Sequence, residues 1–130
     1  MAVVIVNHVK PVGSIAMQIE DYTFGKIIVD GQTYNSDVII TPEMVIDSWW
    51  RKQGHRLDMS DLDEILDAKP DCLLVGTGYY GRMDIPDETI KFLQNKHIHL
   101  DYAPTGEAIK QLRQLQNKCT RIVAALHLTC

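Results

Sequence analysis

Two apolar segments constrain this chain most, the continuous run Cys72–Val75 (CLLV) and the apolar strand Arg121–Leu128 (RIVAALHL). Such runs suit strands covered on both faces, the usual setting of parallel sheets. Between them the pattern alternates. Pro86 precedes a helical stretch, Asp87–Lys96, with Asp87 and Glu88 suited to a helix N-terminus. Ile98–Tyr102 reads as a short strand. Pro104-Thr105 opens a second helix, about Gly106–Asn117, with Thr105 as the expected N-cap and Ala108, Leu112 and Leu115 as its apolar face. From residue 72 onward the order is therefore β, α, β, α, β, which predicts right-handed crossovers and a largely parallel sheet.

Upstream, Lys26–Val29 runs into Asp30-Gly31, a dipeptide suited to a tight hairpin turn. A β-hairpin is expected over 22–41, with its returning strand drawn from Thr33-Tyr34 and Asp37–Thr41. Ser60, with Asp63 three residues on, resembles a capping box opening a short helix that ends before Pro70. The segment 44–57 leaves strand or helix open. The fold class expected is α/β: a three-layer single domain with a mixed central sheet, an N-terminal hairpin followed by βαβαβ. Residues 1–19 read as an extension, or an extra edge strand, before a single domain over 20–130.

At 130 residues the chain holds about one core. Its net charge of −4 argues against duplex nucleic acid, whose binding relies on phosphate neutralisation. No apolar run approaches the ~20 residues of a membrane helix, so membrane insertion is not expected. Cys72, Cys119 and Cys130 are odd in number and lack a CxxC pair. A disulfide framework is therefore not expected, and a reducing, cytoplasmic setting is. The start of the chain lacks the pattern of a secretory or mitochondrial leader.

Ligands of open α/β sheets bind beyond the carboxyl ends of the strands. Three segments are expected to converge there: Gly76-Thr77-Gly78-Tyr79-Tyr80-Gly81, the Pro104-Thr105-Gly106 turn, and the tail from His127 to Cys130. Candidate ligand-binding residues are Gly76, Thr77, Gly78, Thr105 and His127. The Gly-rich loop is neither a Walker loop nor a dinucleotide fingerprint, because Arg82–Pro86 separate it from the next helix. Its glycines equally suit a strand leaving the sheet. His97 and His99 would share one strand face, but no third ligand matches them, so no metal site is expected. No cofactor and no catalytic constellation is expected either; the Cys130 thiol beside His127 lacks an orienting third group. Trp49, Trp50, Arg51 and His55 form a basic, aromatic stretch and the candidate surface for a protein partner. A homodimer is a further possibility that no residue encodes visibly.

Several strings occur together: Tyr22-x-Phe24-Gly25, Ile27-x-Val29-x-Gly31-x-x-Tyr34-x-x-Asp37-Val38, Trp49 or Trp50, Leu74-x-Gly76-Thr77-Gly78, Pro104-Thr105-x-x-Ala108 and Arg121–Cys130. In that order and spacing they resemble the Mth938-like (DUF498) family over about residues 20–130. That family also includes a mitochondrial assembly factor for respiratory complex I and the adipogenesis-associated domain protein of animals. The resemblance implies a three-layer α/β domain and imports no catalytic mechanism. It marks Gly76, Thr77, Gly78, Thr105 and Ala108 as recurrent. With it, the expected function is a non-enzymatic interaction or assembly protein. The alternative is a small-molecule-binding domain or enzyme using the crevice at the sheet's carboxyl edge.

Overall fold

The computed structural model describes residues 18–130. The extra edge strand expected at the start of the chain falls outside the described residues. Eight strands and three helices follow: β1 (Ile19–Thr23), β2 (Lys26–Val29), β3 (Gln32–Tyr34), β4 (Val38–Ile40), β5 (Val45–Ile46), α1 (Asp63–Asp67), β6 (Cys72–Thr77), α2 (Asp87–Asn95), β7 (His99–Ala103), α3 (Thr105–Leu115) and β8 (Ile122–His127). They build a five-stranded mixed sheet, β5-β4-β8-β6-β7, and a three-stranded antiparallel sheet, β1-β2-β3. β8, β6 and β7 are parallel, whereas β4 runs antiparallel to β8 and β5 antiparallel to β4. The mixed α/β class is as expected.

The period-2 alternation of the central strands sorts their side chains onto two faces. Leu74, Ala124, Val38 and Ile40 pack with Ile27 and Val29 of the small sheet and with Ala108, Leu112 and Leu115 of α3. Leu73, Val75, Val123, Ala125 and Ile39 face the other way. They pack on Trp49, Leu57, Ile65 of α1 and Leu93 of α2. This gives three layers, with β6 and β8 buried along their whole length.

The hairpin differs from the expectation. Its turn is the expected Asp30-Gly31, with φ of 49° and 77°. The returning strand, however, is Gln32–Tyr34 alone, with Ile27 opposite Tyr34. Val38–Ile40 leaves this sheet and pairs with β8, Ile39 opposite Ala125. All three of its residues are buried, which an outer hairpin strand would not allow. The capping box also shifts. It is made by Asp58 and Asp61, before a single 3₁₀ turn, rather than by Ser60 and Asp63. His97 and His99 do not share a strand face, since His97 has φ 60° and precedes β7.

The cysteines give a further correction. Cys72 and Cys119 are joined in a disulfide, with Cα atoms 6.0 Å apart. The start of β6 and the turn after α3 are distant in sequence but adjacent in the fold, so spacing alone could not reveal the pair. Among the described residues Cys130 is the free cysteine. No helix of the described residues is long and apolar enough to cross a membrane.

Candidate functional site

Over the end of β6, at Gly76 and Gly78, the carboxyl edge of the central sheet is occupied by the chain itself. Thr105 is the first residue of α3, and Pro104 holds the N-cap position expected for Thr105. The Thr105 hydroxyl accepts from the Gly78 N–H at 2.9 Å and donates to the His127 carbonyl at 2.6 Å. It is fully buried and ties the Gly-rich loop to the end of β8. Gly76 lets α3 approach: a Cβ there would stand 2.6 Å from Thr105 Oγ1 and 3.1 Å from its Cα. At Gly78 (φ 111°) a Cβ would lie 2.5 Å from the Thr129 carbonyl oxygen. The segment after β8 fills this space, with Tyr79 N–H donating to Thr129 O and Arg82 N–H to Cys130 O. Thr77 faces a separate hollow of about 390 Å³, lined also by Met83, Ile85 and Pro104. Of the five residues expected at this edge, the structure thus joins Gly76, Gly78 and Thr105 in close packing.

The His127 side chain belongs to the other part of this edge, where β8 meets β4. β8 ends beside the start of β4, and there Asp37 receives three donors. Its Oδ2 accepts from Arg51 Nη2 at 2.6 Å and from His127 Nδ1 at 2.7 Å; its Oδ1 accepts from the Leu128 N–H at 2.7 Å. Burial works to raise the Asp37 pKa. The hydrogen bonds from His127, Leu128 and Arg51 outweigh it and hold the carboxyl below its usual range. Arg51 is itself anchored. Its Nε and Nη2 donate to Gly54 O at 3.1 and 2.9 Å, and its guanidinium lies 4.5 Å over the Trp49 ring. The arginine, histidine and aspartate side chains are 3%, 5% and 14% exposed.

Above this cluster opens a cleft of about 310 Å³, lined by Asp37, Trp49, Trp50, Arg51, His55 and His127, with Asn35, Ser36, Gly54 and Thr129 completing it. It gathers all four residues expected at a partner surface, and His127 from the expected ligand set. Trp49 and Arg51 are buried in its wall. Trp50, 82% exposed, and His55 stand at its rim, the His55 ring 5.6 Å from that of His127. Two nitrogens in the wall, Arg51 Nη1 and His127 Nε2, are buried without any hydrogen-bond partner. Buried polar groups are nearly always paired, so two orphans on adjoining side chains mark this place.

Asp37 is not among the residues that the sequence singles out for either surface. In the sequence it reads as part of a returning strand, and a single carboxylate before the apolar Val38-Ile39-Ile40 does not mark a site by itself. Only the pairing of β4 with β8 brings it within reach of His127, 90 positions away.

Similar folds are known. A conserved hypothetical protein from Pyrococcus horikoshii, PH1505, is 32% identical, with a TM-score of 0.73 over 88% of this chain and 100% of its own. The protein MT938 is 26% identical, with a TM-score of 0.69 over 88% of this chain and 99% of its own. A Bordetella pertussis protein described as a Mth938-like domain shares the fold at 18% identity, TM-score 0.66, over 93% of this chain and 90% of its own. The model of the family "Protein of unknown function (DUF498/DUF598)" matches residues 19–127. The chain belongs to that family, DUF498, as the ordered strings of its sequence implied.

Proposed function

We propose that this chain is a small-molecule-binding domain whose site is the cleft between Trp49, Trp50, Arg51, His55 and His127. One observation carries the reading: Arg51 Nη1 and His127 Nε2 lie unpaired in the cleft wall. A buried donor or acceptor left unsatisfied costs about 1–3 kcal/mol, a cost that a bound ligand removes. The volume, about 310 Å³, falls at the small end of ligand sites. This keeps the binding alternative at the sheet's carboxyl edge, but on its β8–β4 side rather than over the packed end of β6.

Native mass spectrometry of the protein purified gently from its source tests the proposal. A retained small molecule is expected, lost from the Trp50→Ala variant, whose substitution touches only a rim residue. A bare protein, together with a fragment screen that leaves the Trp49 and His127 resonances unmoved, overturns it.

An interaction or assembly role is the second reading. It is favoured by the exposed Trp50 and by a contiguous group of rings on another face, Phe24, Tyr79 and Tyr80, each about half exposed or more. A copurified polypeptide, or a homodimer dispersed by Trp50→Ala, would favour that reading in the same spectra. The expected cytoplasmic setting would keep the Cys72–Cys119 pair reduced, so a thiol count on protein from its source bears on the compartment.

A further inference from the structure

The hydrogens of the cluster can be counted. Arg51 Nη2 carries two, and Asp37 Oδ2 and Gly54 O accept both. None remains for His127 Nδ1, which lies only 3.1 Å from Nη2. Nδ1 therefore bears its own hydrogen and gives it to Asp37. Nδ1–H on Asp37 is common to the neutral ring and the imidazolium; in the neutral ring Nε2 is a bare lone pair. Arg51 Nη1 keeps two hydrogens with no acceptor. The cleft wall thus offers one donor and one acceptor on side chains already in contact.

The charges can be counted as well. With the His127 ring in its neutral form, Asp37 cancels Arg51 and no net positive charge waits for an anion. A carboxylate could accept from Nη1, but its second oxygen would meet the Nε2 lone pair. A carbonyl next to an N–H satisfies both nitrogens without any change of protonation. Trp50 at the rim supplies an exposed ring face on which a planar group can stack.

Resting on the reading of this cleft as a small-molecule site, we infer that its ligand is uncharged and planar. It presents a carbonyl and an N–H side by side, as a primary carboxamide or the lactam edge of a heterocycle does. Nη1 and Nε2 are both closed to water in this structure. The exposed His55, its ring against that of His127, is the side chain that yields on entry.

Two matched pairs of probes test this by NMR titration of the whole chain. Nicotinamide and nicotinate differ only in carboxamide against carboxylate. 2-Pyridone and N-methyl-2-pyridone differ only in the N–H. Nicotinamide and 2-pyridone are expected to shift the His127 ring nitrogens and the Trp49 and Trp50 indole signals. Nicotinate and the N-methyl compound should bind at least about tenfold more weakly, because each leaves one buried nitrogen unpaired. Nicotinate binding as well as nicotinamide would overturn the ligand class while leaving the cleft a binding site. Silence from all four probes at millimolar concentration also overturns the class; joined to a bare native mass spectrum, it removes the site too.

Discussion

Asp37→Asn is the substitution that most directly examines the buried cluster. The aspartate accepts on both oxygens, from Leu128 N–H on Oδ1 and from Arg51 and His127 on Oδ2. An asparagine has one acceptor end. Whichever way its amide turns, an NH₂ faces a donor, and Arg51, 3% exposed, loses its counter-ion. Removing one partner of a buried ion pair costs about 3–5 kcal/mol. That is a large share of the roughly 5–15 kcal/mol that holds a domain folded. The sign of the pH dependence follows from the depressed Asp37 pKa. A carboxylate whose folded pKa lies below its unfolded value stabilises the fold at every pH above the latter, 3.8. That contribution fades as pH falls from there through the folded pKa. Urea unfolding followed by Trp fluorescence, run on both proteins from neutral pH into acid, should show a gap of about 3–5 kcal/mol that narrows below pH 3.8. A neutral-pH gap under about 1 kcal/mol, or one that widens in acid, would refute the argument that Asp37 is the counter-ion of a buried arginine.

Thr105→Val keeps the shape but strands the Gly78 N–H and the His127 C=O, so a loss of about 2–4 kcal/mol is expected; Thr105→Ser, which keeps the hydroxyl, should lose less. Urea midpoints decide it, and serine proving the worse variant would mean that the methyl group matters more than the hydroxyl. Opening the Cys72–Cys119 bridge, which closes a separation of 47 residues, should lower stability by about 4 kcal/mol on chain-entropy grounds. Thermal melts with and without reductant measure that loss. Unfolding without reductant should expose the Cys130 thiol alone, and three reactive thiols would show that the bridge is absent.

What could be read in advance was whatever local pattern carries. The apolar runs at β6 and β8, the helices before Lys96 and Asn117, and the Asp30-Gly31 turn are all short-range signals, and each appears within a residue or two of its expected place. Failures came where two distant segments compete for one partner. Thr33-Tyr34 and Val38–Ile40 both looked like the mate of β2, and only the vacancy beside β8 in the central sheet decides between them. Thr105 looked like a cap because helix starts need one, yet its hydroxyl is used 22 and 27 residues away. The candidate site was half legible. Trp49, Trp50, Arg51, His55 and His127 were named, but as two unrelated surfaces. Asp37, which joins them, carries no local mark of its role. Nor did Cys72 and Cys119, whose meeting depends on how α3 returns across the sheet.

The position of β8 has a consequence for synthesis. It lies between β4 and β6, yet it is made after both. While the ribosome is still short of Ile122, the sheet has a slot where its middle should be. The inner borders of β4 and β6 then present unpaired backbone, the kind of surface that recruits strands from other chains. Final assembly is an insertion rather than an addition at one side. The same stroke that closes the slot delivers His127 to Asp37 and Arg51, so the cleft comes into being only as the sheet becomes whole.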